Sequence, residues 1–497
     1  MSTHVWSRPF GAVPLEEGAF ELRVWAPLAR RVTVLLHGRE HPLEEVEDGV
    51  LAGEVFADPG DDYLFVVDGE PLPDPSSRSQ PEGVLGPSRV VDTGAFSIAP
   101  GPELTLEDLV LYELHVGTFT NGGTFDAAIA ELPRLRDLGI TAIELMPVAT
   151  FPGVRGWGYD GVYTSAPHHA YGGPDGLARL VDAAHRLGLG VFLDVVYNHL
   201  GPGAEKISRF APYFTDRFHT FWGSALDYEQ RGVREWAIQN ALLWANDYRI
   251  DGLRLDAVHS VFDDSPVHVL AELAQRVPAL IVSEMGPADF RPLEEWRHDA
   301  MWLDSLHHEL HVLLTGEREG YYADFGSMEG LVRELTRAQP ERLVVAAQNH
   351  DQVGNRAVGD RLPPDAHRVA LAIVLFSLST PLIFMGEEHD ERAPFQFFTD
   401  HIDPQIAEAT REGRRREFEE FGSFGGDDVP DPQARTTFER SRIEHPPSNP
   451  LYRELIALRR ELPRELEVHA DGMVLTLRRG DVVLVADLAR KTVELRR

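Results

Sequence analysis

The strongest constraint on the fold is an alternation that begins near residue 109. Eight short apolar runs follow one another: VLYELHVGTF from Val110, TAIELMPV from Thr141, VFLDVVYNH from Val191, DGLRLDAV from Asp251, LIVSEM at 280–285, MWLDSL at 301–306, RLVVAAQNHD at 342–351 and LIFMGEE at 382–388. Between several of them lie segments such as AAIAELPRLRDLG, GLARLVDAAHRLG and VREWAIQNALLWAND, whose apolar residues recur three and four apart as on a helix. Runs this apolar must be covered on both faces, and strand–helix alternation achieves that with a parallel sheet. Eight repeats predict an α/β fold, a closed (β/α)8 TIM barrel, with a doubly wound open sheet as the rival. The uncharged stretch VALAIVLFSLSTPLIFM at 369–385, interrupted by Pro381, is short for a membrane span and predicts a buried helix followed by a strand.

A chain of 497 residues exceeds what one core usually holds, so flanking units are expected. Residues 1–98 carry short β-type runs, ELRVWAP, RVTVLL and DDYLFVVDG, punctuated by Gly, Pro and Asp, and predict an N-terminal β-sandwich. The Gly- and Pro-containing stretch at 93–108 marks the passage to a catalytic barrel at 99–462, and the alternating residues of 463–497 predict a small C-terminal β unit. The charged segment 400–450 is expected as a surface excursion near the barrel mouth.

Composition removes several functions. A formal charge of −33 repels phosphate backbones and anionic lipid, so neither nucleic acid nor membrane is expected as a partner. The absence of cysteine rules out disulfides, thiolate nucleophiles and iron–sulfur clusters. The start, MSTHVWSRPFGAV, lacks the basic and apolar regions of a signal peptide, which makes a cytoplasmic location the expectation. His307 and His308 are adjacent and do not face one ligand together, and no metal-binding or dinucleotide glycine motif occurs, so no metal and no cofactor are expected.

In barrels of this kind chemistry gathers where strands end at their C-terminal side, and the polar residues closing the runs are therefore the candidates. They are Asp194, Asn198 and His199; Arg254 and Asp256; Glu284; and His350 and Asp351. Three carboxylates, Asp256, Glu284 and Asp351, project from different strands toward one mouth, with His199 and His350 expected as neutral donors. Glycoside hydrolysis needs such a set, one ionised carboxylate as nucleophile and one protonated carboxyl as acid. Arg254, two residues from Asp256, is expected to keep that aspartate ionised, and Glu284, with no basic neighbour in sequence, to hold its proton. The aromatic loop GWGYDGVYTSAPHHAYGGPDG adds Trp157 and Tyr159 as candidate sugar contacts, with Tyr163 and Tyr171 expected to pack. The bland alternatives are a structural Arg254–Asp256 ion pair and a glycan-binding protein on an inactive scaffold.

DVVYNH, DGLRLDAVH, the Glu of IVSEM and QNHD resemble, in order and spacing, the four signature regions of the α-amylase superfamily. The resemblance implies Asp256 as nucleophile, Glu284 as acid/base, Asp351 as the residue holding sugar hydroxyls, and Arg254, His199 and His350 as support. YELHVGTFT, LLTGEREGYYADFG, QNHDQVGNRAVGDRL and PFQFFTDH look more narrowly like the maltooligosyltrehalose trehalohydrolase family, whose carbohydrate-binding-like sandwich FGA…FELRVWAP also resembles. That family's reaction is hydrolysis of the α-1,4 bond next to a terminal trehalosyl unit of an α-glucan oligosaccharide, with no cofactor. The chain departs from the family pattern in MGPADF after Glu284, in LDSL before the paired histidines and in GEEHDE. These departures lie by loops that would shape subsites, and glucan branching and debranching enzymes, which share the scaffold, remain alternatives.

Overall fold

A computed structural model describes residues 5–15, 18–220, 222–286, 289–419 and 429–497. Its centre is a closed barrel of eight parallel strands in sequence order: Leu111–Leu114, Ala142–Leu145, Gly190–Val195, Gly252–Leu255, Leu280–Ser283, Ala300–Trp302, Leu343–Ala346 and Thr380–Phe384. The first strand pairs with the eighth, Leu111 opposite Leu382, so no edge remains and the open-sheet alternative falls away.

All eight expected runs supply a strand. Alternate side chains divide between two separate apolar clusters: Leu111, Ala142, Phe192, Val282, Trp302, Val344 and Leu382 form the first. Their strand neighbours, among them Tyr112, Ile143, Leu193, Ile281, Met301, Val345 and Ile383, belong to the larger second one, which the surrounding helices share. Side chains two apart on a strand share a face, so the first cluster is the filled interior of the barrel. The stretch at 369–385 divides as expected, into the helix Pro364–Phe376 and the strand Thr380–Phe384. MWLDSL is strand only as far as Trp302, and a helix, Asp304–Thr315, opens within it. An aspartate in the first turn suits the positive end of that helix better than it suits a ladder.

Two antiparallel sheets precede the barrel. Gly11–Pro14, Ala19–Trp25, Val50–Phe56 and Glu44–Glu47 make one; Arg39–Pro42, Val32–Leu36, Asp62–Val67 and Glu70–Leu72, with Ser88–Arg89, make the other. Their inward residues, Leu22, Val24, Val34 and Phe65, are fully buried in the larger cluster. The unit is anchored to the helix Arg231–Asn246, where the Trp236 indole donates to the Pro75 carbonyl at 3.1 Å. After the barrel a four-stranded meander, Glu467–Asp471, Val474–Arg479, Val482–Asp487 and Thr492–Arg496, packs against the helix Pro364–Phe376. Of the expected surface excursion, residues 404–419 form a helix and 420–428 lie outside the described residues. Pro287 and Ala288, in the loop after Glu284, also lie outside them, as do residues 1–4 at the start.

Candidate active site

The interior face of the barrel changes character toward its C-terminal end. Two residues beyond the apolar layer of Leu111, Ala142, Phe192 and Gly252, the first four strands place Glu113, Glu144, Asp194 and Arg254. Glu113 lies opposite Glu144 and Asp194 opposite Arg254 in the strand registers. A charged layer therefore floors the mouth, and the candidates close each strand just above it.

Arg254 organises the mouth. Fully buried, it sends Nη1 to Asp194 Oδ2 at 2.7 Å and to Asp256 Oδ1 at 2.8 Å, and Nη2 to Glu284 Oε2 at 2.8 Å. Its guanidinium lies 4.3 Å from the ring centroid of Trp302, whose face favours a cation. Three carboxylates and an indole thus offset the desolvation of one arginine. Sequence adjacency pairs Arg254 with Asp256 alone. The fold also carries the fifth strand past the same guanidinium, so Glu284 has the basic neighbour that its own segment lacks.

Asp256 Oδ2 accepts from Asn198 Nδ2 at 2.7 Å, and the same amide holds the Asp256 carbonyl at 2.9 Å. Glu284 Oε2 also accepts the Ala257 N–H at 2.9 Å, and Oε1 has no hydrogen bond among the described residues. Ala257 is in the left-handed region at φ 40°, a conformation costly for a residue with a Cβ, and it turns its N–H toward Glu284. Side-chain exposure rises from 1% at Asp194 through 10% at Asp256 and 22% at Glu284 to 36% at Asp351, so the last three are the ones a ligand can reach.

Asp351 sits in the short helix His350–Gly354 after the seventh strand, held by Asn355 Nδ2 at 3.0 Å and facing His350 Nε2 at 3.4 Å. His350 departs from the expected neutral state. Burial alone would lower its pKa, but Asp351 and Glu113 outweigh burial and hold it up at about 10. The bonding agrees: Nδ1 meets Glu113 Oε1, and Nε2 meets the Tyr159 hydroxyl, whose one proton goes to Asp194 Oδ2 at 2.7 Å. Both ring nitrogens then donate, and the ring is a cation. His199 is the neutral one, lowered to about 4 by burial. Its Nε2 bonds the Tyr159 carbonyl at 2.9 Å, and its ring stacks on Trp222 at 4.0 Å.

Tyr159 stacks on His350 at 5.2 Å and reaches the cluster directly. Trp157 is 5% exposed, stacks on Phe395 and meets the His350 ring edge-on, which makes it a buttress behind that histidine rather than a sugar platform. Tyr163 and Tyr171 are buried and pack, as expected. His307 is likewise internal, bonded to the Ala347 carbonyl at 2.6 Å and the Tyr322 hydroxyl at 2.9 Å.

Four neighbours, Asp304, Glu113, Glu144 and Trp222, carry no candidate role in the sequence reading. Asp304 is pushed up to about 7 by burial and then by the charges of Glu284 and Asp351. Burial also pushes Asp194 up to about 7, against the pull of Arg254. Glu113 and Glu144 lie inside LYEL and AIEL; an acid within an otherwise apolar strand, two residues past an apolar inward position, is the signal that finds them. Trp222, half exposed on the hairpin Phe214–Thr220 and Gly223–Leu226, had no sequence signal tying it to His199.

Comparison with known proteins fits this architecture. The family model described as the α-amylase catalytic domain matches residues 78–220. A malto-oligosyltrehalose trehalohydrolase of Deinococcus radiodurans is 43% identical over 544 aligned residues, covering 97% of this chain and 90% of that one. One from Saccharolobus solfataricus is 37% identical, covering 97% and 93%. A crystal structure from Salmonella typhimurium assigned to the α-amylases superposes with a TM-score of 0.85 at 37% identity, covering 96% of this chain and 92% of that one. With identity sustained at this level across nearly the whole of each relative, the chain belongs to the malto-oligosyltrehalose trehalohydrolase family and is a glycoside hydrolase.

Proposed function

We propose that this enzyme cleaves the α-1,4-glucosidic bond next to the terminal trehalosyl unit of a maltooligosyltrehalose, releasing trehalose, with retention at the anomeric carbon. Asp256 attacks that carbon while Glu284 gives its proton to the departing glycosidic oxygen. Water then replaces Asp256, losing a proton to Glu284 as it does so. The observation that carries this reading is the single guanidinium that holds Asp256 on one nitrogen and Glu284 on the other. It supports one nucleophile and one acid sharing a small site, with Glu284 Oε1 left open for the leaving group.

Asp351 supplies an acceptor for the hydroxyls of the distorted sugar, with the cationic His350 buried behind it, its two N–H groups held by Glu113 and Tyr159. Arg254, Asn198, Asp194 and Tyr159 hold the reacting pair, and His199 with Trp222 forms an aromatic rim. On this reading residues 1–98, 99–462 and 463–497 are three domains, with the chemistry confined to the second.

The test is product analysis on three substrates: trehalose-capped oligosaccharide, linear maltooligosaccharide and branched glucan. Free trehalose from the capped substrate, with little conversion of the other two, is the expected result. Transfer of glucan segments to branch points would replace hydrolysis with the branching alternative.

A further inference from the structure

The charged floor contains one acid that nothing so far explains. Glu144 is 1% exposed, and neither of its carboxyl oxygens has a hydrogen-bond partner among the described residues. It stands on the second barrel strand, between Glu113 on the first and Asp194 on the third. Its neighbours are each matched to a cation. Glu113 accepts the His350 N–H at 3.0 Å and the ring Nδ1, while Asp194 holds Arg254 and the Tyr159 hydroxyl through Oδ2. The cations within its field, Arg254 and His350, are thus already bonded to those neighbours, and beneath it lies the apolar interior of Ala142 and Phe192. Asp194 Oδ1 is the other oxygen of this floor that is buried without a partner among the described residues.

Two ionised carboxylates cannot satisfy each other, but a protonated one can donate to the next. We infer that Glu144 keeps its proton throughout the working pH range and donates it, as a hydrogen bond, to Asp194 Oδ1. Glu144 is then a positioning residue: it fixes the rotamer of Asp194, which fixes Arg254 and through it both reacting carboxylates. The electrostatics run the same way. Burial raises Glu144 well above the ordinary range, with Glu113 and Asp194 adding to the rise and Arg254 and His350 opposing it.

The inference rests on Asp256 and Glu284 being the reacting pair, and its test has a readout independent of turnover. Glutamine at this position retains a donor without a charge, whereas leucine retains neither. Glu144→Gln should keep kcat/KM within about threefold of wild type with an unchanged pH profile, whereas Glu144→Leu should lower kcat about a hundredfold and displace the profile. Loss of activity in Glu144→Gln as deep as in Glu144→Leu would mean that a charge is needed there, and would overturn the inference. The infrared spectrum of wild-type enzyme carrying 13C-labelled glutamate should show a protonated-carboxyl band at pH 8 that disappears on unfolding. Absence of that band overturns the inference even if neither variant folds. Its presence together with an active Asp256→Asn enzyme would instead leave Glu144 as inferred and remove the proposed nucleophile.

Discussion

Two buried charge clusters lie close together in this molecule, and they treat their acids in opposite ways. Behind the eighth strand, each carboxylate of the segment GEEHDE has partners of its own. Glu388 accepts from Arg134 at 2.6 Å and Tyr112 at 3.0 Å, with His389 at 3.1 Å; Asp390 accepts from Tyr452 at 3.0 Å, and from Arg368 and Asn449 at 3.2 Å each. Burial works against ionisation there, but His389 and Arg134 prevail and hold Glu388 at about 2; with His389 and two backbone N–H groups beside it, Glu391 is also at about 2. At the mouth the balance is reversed. One arginine serves three carboxylates, and Asp194 and Asp304 rise to about 7. Where each acid is met by several donors the cluster stabilises the fold, and where one arginine is divided among three acids the cluster stores the unfavourable charge that acid–base chemistry draws on.

The largest expected effect tests the mouth. Asp256→Asn should lower kcat by about four orders of magnitude or more while circular dichroism and Tm stay near wild type. A stable variant with ordinary turnover would reduce the mouth to another structural network. Next, Arg254→Lys keeps the charge but loses the planar fork, and kcat/KM should fall about a hundredfold. A small effect would show that charge, not geometry, holds the pair.

Behind the eighth strand the pattern should invert. Glu388→Gln leaves Arg134 and His389 short of an acceptor, at a cost of about 3 kcal/mol in denaturant unfolding, with kcat at 25 °C within about twofold of wild type. If turnover fell with stability, the two clusters would be one coupled unit.

The smallest effect lies in the pH dependence of stability. Glu388 and Glu391 sit below the ordinary glutamate value of 4.5, so their contribution is complete above about pH 4.5 and is lost as pH falls toward 2. Asp304 and Asp194 sit above the ordinary aspartate value of 3.8, so the folded state binds their protons more tightly than the unfolded chain. Their contribution is therefore lost as pH rises from about 4 through 7. Unfolding midpoints of Asp304→Asn should decline less over that interval than those of wild type, and parallel curves would contradict the raised acid.

The sequence disclosed the scaffold through its apolar runs, because a strand covered on both faces has no polar alternation to obscure it. It pointed to the candidate site where polar residues close those runs, as at Asp256, Glu284 and Asp351, which the fold brings to one mouth. It was blind to contacts that only barrel closure creates. Nothing in LIVSEM announces that Arg254 reaches Glu284, and nothing in QNHD reveals the Glu113 that charges His350. Asp304 is hidden because a run that reads as strand to residue 306 becomes helix at its fourth residue, which turns a loop departure into a half-buried acid beside the candidate site.

The shared guanidinium has a consequence for how such an enzyme can change. A planar group of fixed size acts as a gauge block between Asp256 and Glu284, the proposed reacting pair, so neither can drift without the other. Altered specificity must therefore be sought in the surrounding loops, and an engineer who wants a different stereochemical outcome would have to replace the gauge itself.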